Sequence, residues 1–181
     1  MMRQHSKSNP KQIKQLHRMV NKTLKDYNLF PCEARILVAC SGGPDSMVLL
    51  NVLQYVKVHR KARWTIGVTT MDHSIRRESL SELQMVASYC NKNNLPFWGV
   101  KKDIPTIAGE RKESLETVGR YERYKWFNEL AEREHYDYIV TAHHKDDQGE
   151  TILAHILRGS GIKGITGMSV ISHDYTVPIV R

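Results

Sequence analysis

Cysteine is scarce: Cys32, Cys40 and Cys90 are the only three in 181 residues, and no two form a C-x-x-C pair. That spacing speaks against a zinc ribbon, an iron–sulfur site or a disulfide framework, and makes a reducing cytoplasm the expected setting. No apolar run approaches the ~20 residues of a membrane span, and the N-terminus carries no apolar signal core. A membrane partner is therefore not expected. Internal repeats and low-complexity segments are also lacking. Acidic residues are missing from the whole N-terminal stretch ahead of Asp26.

The chain as a whole is basic, with 27 Lys and Arg against 19 Asp and Glu, a formal charge of +8 and a sequence pI near 9.4. Such a balance suits an acidic partner such as RNA without identifying it. The length is that of one globular domain able to bury a core. From Pro10 to Asn28, Ile13, Leu16, Val20, Leu24 and Tyr27 recur at helical spacing, with Lys11, Lys14, Arg18, Lys22 and Lys25 on the other side. The pattern predicts an amphipathic basic helix. Its polar face is read either as solvated or as contacting phosphate, and an organelle presequence is a further reading.

The chemistry begins at Ser41-Gly42-Gly43-Pro44-Asp45-Ser46, which follows the apolar run Ile36–Cys40 and precedes Met47-Val48-Leu49-Leu50. A buried strand, a tight glycine turn and a helix are predicted in that order. Hydroxyls and unsatisfied N–H groups at a helix N-terminus favour an anion, here a phosphate. Glycine permits close backbone approach and positive φ, and Pro44 suits a first helical turn. The loop lacks the Gly-Lys-Ser/Thr ending of a Walker loop. It carries Asp45 instead, and a carboxylate beside polyphosphate argues for a bridging magnesium ion. A plain βα turn capped by Asp45 or Ser46 is the alternative.

Further strands are predicted over Trp64–Met71, Leu95–Lys101 and Tyr138–Ala142, with helices over Glu78–Asn94 and Glu113–Glu134. The alternation implies an α/β fold, a twisted parallel sheet with right-handed crossovers. Asp103–Glu113, interrupted by Pro105 and Gly109, is expected to be a mobile loop. Asp72-His73-Ser74-Ile75-Arg76-Arg77 falls beyond the carboxyl end of the second strand, where such sheets keep their binding crevice. Capping and solvation of that loop by His73 and Arg76 is the bland alternative. Glu116, Arg120 and Tyr124 fall four apart on one helix face with Arg123 beside them, a spacing that also suits an ordinary surface ion pair. After the fourth strand, His143-His144-Lys145-Asp146-Asp147-Gln148-Gly149-Glu150-Thr151 is dense in acids and bases. Asp147 with Glu150 also resembles a capping box, and zinc ligation is disfavoured because the histidines lack the His-x-x-x-His spacing. Arg158-Gly159-Ser160-Gly161, followed by Lys163 and two more glycines, suggests a second anion-facing loop, with Gly159 as a helix C-cap the simpler reading. Val177–Arg181 reads as a short extended segment.

The first loop resembles the signature of the PP-loop ATP pyrophosphatases, which split ATP into AMP and pyrophosphate. Together with Asp72–Arg76, Glu116 with Arg120 and Arg123-Tyr124, the Thr141–Thr151 block and Arg158–Gly161, the chain from about Arg35 to Arg181 resembles the tRNA(Ile)-lysidine synthase family. The resemblance implies a Rossmann-like sheet of the adenine nucleotide α-hydrolase type with helices on both faces. It implies residues 1–34 as an N-terminal basic helix and 35–181 as the catalytic domain. The implied enzyme is an ATP-dependent ligase in two steps: ATP adenylates the C2 oxygen of the wobble cytidine in a tRNA(Ile) with a CAU anticodon, and the ε-amine of free L-lysine displaces AMP.

On this resemblance Ser41, Gly42, Gly43, Pro44, Asp45, Ser46, Asp72 and His73 bind ATP, and Asp45 helps hold Mg2+. Asp45, Arg120, His144 and Asp147 are the implied catalytic residues. Arg76, Glu116, Arg123, Glu150, Arg158 and Lys163 are implied contacts to tRNA or lysine, with Glu116 either orienting Arg120 or taking the lysine ammonium. A dimer is one assembly open to it. Family members continue past a segment like Val177–Arg181 into helical and tRNA-binding regions, so a truncated form or a second chain supplying the rest is expected. Gly119 stands where the family more often has alanine. The alternatives are another PP-loop enzyme, such as a tRNA thiolase or an amide-forming synthetase, or an ATP- or RNA-binding module without turnover. The cysteine pairs of cytidine thiolases are missing here, and the synthetases lack the His-x-Asp-Asp-Gln-x-Glu-Thr block.

Overall fold

The computed structural model describes residues 10–75, 79–142 and 170–181. The elements are α1 (Pro10–Asp26), β1 (Arg35–Ala39), α2 (Pro44–His59), β2 (Thr65–Asp72), α3 (Ser79–Lys92), β3 (Phe97–Lys101), α4 (Ile104–Arg111), α5 (Leu115–Arg133), β4 (Tyr138–Thr141), β5 (Ile171–Ser172) and β6 (Ile179–Val180). They form one sheet in the order β3-β2-β1-β4-β6-β5. All neighbours are parallel except β5, which runs antiparallel on β6.

Strand β1 is central, and its alternating side chains serve two cores. Ile36 and Val38 join Leu50, Leu53 and Val56 of α2, Val86 and Cys90 of α3, and Val140 of β4 on one face. Leu37 joins Tyr124, Phe127, Leu130 and Ala131 of α5 with Ile139 and Ile179 on the other. A parallel strand covered on both faces reads as a continuous apolar run, which is why Ile36–Cys40 shows no polar alternation. Helix α1 packs along α2, and its Leu24, with Leu29, Phe30 and Ala34 after it, belongs to the first core.

Asp103–Glu113 is not a loop: Ile104–Arg111 is helix α4. The Asp103 carboxylate accepts hydrogen bonds from Thr106 N–H (3.1 Å) and Thr106 Oγ1 (2.9 Å), and the same two bonds hold its carboxyl below the usual aspartate range. Pro105 lies in the first turn, where its missing N–H costs nothing. Ile104 and Ala108 are buried beside Val118 of α5, which offsets the helix-weakening Gly109 on the exposed side. A proline and a glycine read as breakers are therefore a first-turn residue at the second helical position and a tolerated exception.

In β2, the Gly67 position faces rings: an added Cβ would stand 2.0 Å from Tyr136 Oη and 2.9 Å from Trp98 Cζ3. Tyr136 and Trp98 meet edge to face, so neither ring has room to withdraw without breaking that contact. Gly67→Ala is expected to destabilise the fold by about 1–3 kcal/mol through overpacking, read as a lowered urea midpoint at unchanged slope. A wild-type midpoint would show that the Tyr136 ring moves freely.

Candidate functional site

The sheet order reverses between β1 and β4: β2 and β3 extend to one side of β1, and β4, β6 and β5 to the other. Ligands of open α/β sheets bind at such a switch point, outside the carboxyl ends of the strands. A cavity of about 620 Å³ lies there, lined by Cys40, Ser41, Gly43, Pro44 and Ser46 after β1, by Thr141 and Ala142 at the end of β4, and by residues of β2, α3 and α5. The volume is that of a small-molecule site.

The loop is shaped by its glycines and tied by its serines. Gly42 has φ +85°, and a Cβ there would come 3.0 Å from Glu82 Cβ of α3. Both the left-handed backbone and the close helix require glycine. Gly43 is the N-cap of α2 and offers no side-chain cap, with Pro44 next, so the first-turn N–H groups have no partner within the helix. Ser46 Oγ donates to Gly43 O at 2.9 Å and lies 3.3 Å from Ser41 Oγ. Asp45 is exposed in the first turn of α2 and does not line the cavity.

From the opposite wall comes Arg123 of α5. Its guanidinium donates to His73 Nε2, with Nη2 at 3.2 Å, and arginine has only donors, so that imidazole nitrogen is unprotonated. Burial, and then the positive charge of Arg120, lower the Arg123 pKa, the tyrosine beside it acting in the opposite sense. No carboxylate pairs with Arg123 among the described residues. A desolvated cation without a counter-charge is costly, and an anion in the cavity would relieve it.

The neighbouring residue behaves oppositely. Glu122 is buried, yet Lys102 Nζ (3.0 Å) and Arg111 Nη2 (2.8 Å) both reach its carboxylate. Burial pushes its pKa up, but those two hydrogen bonds and charges together hold it below the usual glutamate value. The trio ties the end of β3 and helix α4 to α5. Sequence reasoning missed it because Glu122 looks like any charge in a helix; three charged positions in separate elements carry no local signal.

The other expected residues separate into groups. His73 lines the cavity, while Asp72 is buried and accepts from Ser74 N–H at 2.8 Å, closing the turn after β2. Arg120 is exposed but sits over the Tyr124 ring at 5.2 Å, and Tyr124 lines the cavity with Phe127. Tyr175 stacks on Tyr124 at 5.5 Å. Burial, then Tyr124, raises the Tyr175 pKa, partly opposed by Arg120. Glu116 is exposed one turn from Arg120 and makes no ion pair with it among the described residues. Arg76, His144, Asp147, Glu150, Arg158 and Lys163 lie outside the described residues. Phe127 follows Tyr124 by three positions, nearly one helical turn, but α5 alternates apolar and charged residues on every side, so its sequence shows little sign of which face meets the cavity.

Among the described residues no three of His, Cys, Asp and Glu gather as a metal cluster, and no helix is long and apolar enough to cross a membrane. A family model described as a PP-loop domain matches residues 8–181. The tRNA(Ile)-lysidine synthase of Petrotoga mobilis is 35% identical over 168 residues, 93% of this chain and 53% of the relative. That of Thermosipho africanus is 41% identical over 145 residues, 80% of this chain and 34% of the relative. The chain thus spans between about a third and a half of the length of these curated relatives. Among solved structures, the U34-tRNA thiolase NcsA from Methanococcus maripaludis, with its 4Fe–4S cluster, superposes with a TM-score of 0.67 at 19% identity, covering 83% of this chain and 51% of that one. That likeness is one of fold.

Two outcomes follow from the charge arrangement. Arg123→Met is expected to leave the thermal midpoint unchanged or raised while weakening ATP binding at least about tenfold, measured by calorimetry; undiminished affinity would remove Arg123 from the site. Glu122→Gln is expected to cost about 1–3 kcal/mol at neutral pH. Because the folded-state pKa of Glu122 is depressed, its contribution is present above the unfolded value near about 4.3 and disappears as pH falls through the folded value. The stability gap between wild type and variant should therefore shrink in acid, and a constant gap in denaturation curves would contradict that role.

Proposed function

Given that the chain belongs to the PP-loop domain family, we propose that it uses ATP to activate the wobble cytidine of a tRNA(Ile) with a CAU anticodon and joins free L-lysine to C2 of that base. The observation that carries the reading is the meeting, around one cavity at the β1–β4 switch point, of the glycine loop of α2 and the buried guanidinium of Arg123. The curated relatives are named tRNA(Ile)-lysidine synthase, which supports tRNA(Ile) as the substrate; the base and the amino acid are part of the proposal.

The C2 oxygen of cytidine attacks the α-phosphorus of ATP, and pyrophosphate leaves. The ε-amine of lysine then adds at C2, and AMP leaves with the oxygen. A carbonyl oxygen is a poor leaving group and AMP a good one, so the first step makes the second accessible. In this reading Ser41, Gly42, Gly43 and Ser46 hold the pyrophosphate with the α2 N-terminus. Arg123 and Arg120 lower the charge that builds on the α-phosphate. Tyr124 and Phe127 exclude water from one wall, and positioning supplies much of the rate. His144 and Asp147 are assigned to cytidine orientation and to taking the proton from the attacking amine. Arg76, Glu116, Glu150, Arg158 and Lys163 are assigned to tRNA and lysine.

Asp45 is exposed in the first turn of α2, beside the loop but outside the cavity lining, and as the carboxylate of that turn it would hold Mg2+ against a bound phosphate. When bound the ion would neutralise phosphate charge. The protein is assigned to the cytoplasm.

Pyrophosphate release measured with ATP, lysine and a CAU-anticodon tRNA tests the proposal. Release should require both ATP and that RNA; AMP formation without RNA would sink it. Asp45→Asn, at an exposed position, is expected to lose about 100-fold or more of turnover with an unchanged thermal midpoint, and full activity would remove Asp45 from the metal.

A further inference from the structure

A second concavity, of about 360 Å³, lies between α1 and α2 and is lined by Lys14, His17, Arg18, Asn21, Tyr55, Val56, His59 and Arg60. It is remote from the first. Helix α2 begins at the glycine loop and ends at His59, and 15 rises of an α-helix separate its ends by about 22 Å. The groove therefore sits by the amino ends of the strands, opposite the candidate active site.

Its walls are built and they are positive. Leu16, Val20 and Leu24 pack on the core, which turns the positions Lys14, His17, Arg18 and Asn21 toward the last turns of α2. Arg60 donates to Asn21 Oδ1 (2.5 Å) and to the Asn21 carbonyl (2.9 Å), clamping the two helices. Tyr55 is stacked between His17 and His59, with both centroid distances 3.6 Å. His59 Nδ1 donates to Tyr55 O at 2.9 Å, so its Nε2 remains for a ligand. The titratable groups facing the groove are Lys14, His17 and Arg18 from α1 and Tyr55, His59 and Arg60 from α2. None of the cations among them pairs with a carboxylate among the described residues. Ordinary helix packing would place apolar side chains at such positions, whereas here Val56 is the sole aliphatic one.

We infer that the α1–α2 groove is a second phosphate-binding surface, which holds the phosphodiester backbone of the RNA substrate away from the reacting base. The identification of the ligand as RNA rests on the proposed function. Lys14 and Arg18, about 6 Å apart along α1, with Arg60 across the groove on α2, suit a chain of phosphates better than a single ion. Burial and the neighbouring His59 keep His17 below the usual histidine pKa, and a phosphate at the edge of the stacked rings favours the protonated form of His17.

The test compares two double variants of equal charge loss on the same helix. Lys14 and Arg18 line the groove, while Lys22 and Lys25 do not, and all four are exposed. Binding of a fluorescent CAU-anticodon tRNA to the 181-residue chain is followed against salt. K14A/R18A should weaken binding about tenfold or more and lower the log–log salt slope by about 2, whereas K22A/K25A should stay within about twofold of wild type, a margin consistent with long-range charge alone. Equal effects of the two pairs would mean diffuse attraction and overturn the groove. Competition by 10 mM inorganic phosphate that abolishes the difference between the pairs would assign the groove to free phosphate and overturn the RNA assignment. Pyrophosphate release by the wild type on the same tRNA reports separately on the proposed function: release with indistinguishable pairs defeats only the groove, and RNA binding that singles out K14A/R18A without release defeats only the reaction.

Discussion

Strand β1 cannot slide. Its neighbours β2 and β4 hold it on both edges in parallel register, and its alternating side chains are divided between two cores, Ile36 and Val38 to one and Leu37 to the other. A shift of one residue would exchange the two sets. The point at which the chain leaves the sheet is thereby fixed, and the turn that follows must be tight because α3 stands against it. Gly42 meets that demand with a left-handed backbone, and α2 then starts without a side-chain cap. An anion-attracting helix end at a fixed height above the sheet is thus a consequence of how β1 is buried.

Charge placement around this end follows from which side chains find partners. Glu122 and Arg123 are adjacent in sequence and point into different surroundings. The carboxylate is neutralised by Lys102 and Arg111, which fastens α4 to α5 and uses cations from two other elements. Arg123 is left with an imidazole nitrogen instead of a carboxylate among the described residues. Lys102 and Arg111 fasten the end of β3 and α4 to α5, the helix that carries Arg123 to the cavity wall. The salt-bridged trio therefore matters to the site although it touches none of the cavity.

Helix α2 connects two positive surfaces of different character. At its N-terminus the attraction comes from backbone N–H groups and a tight loop, an arrangement that favours a compact anion. At its C-terminus it comes from long side chains and imidazoles shared with α1, a broader surface whose shape depends on the Arg60–Asn21 clamp. Among the described residues, Lys14, Arg18 and Arg60 gather by the C-terminus of α2, while Arg123 faces the loop at its N-terminus.

Local pattern determined much on its own. The run Ile36–Cys40 followed by Ser41–Ser46 could only be a buried strand entering a glycine turn and a helix, because apolar continuity, glycine backbone freedom and proline at a first turn are properties of neighbouring residues. The amphipathic α1 is equally local. Tertiary structure decided what depends on distant partners. Pro105 and Gly109 looked like breaks until the buried contact of Ile104 and Ala108 with Val118 made a helix of them. Two adjacent charges in α5 acquired opposite roles only when Lys102 and Arg111 were folded against one of them. The strand order that places Thr141 beside Ala39, and so opens the cavity, is set by packing across the sheet, for which a linear sequence carries no signal of its own.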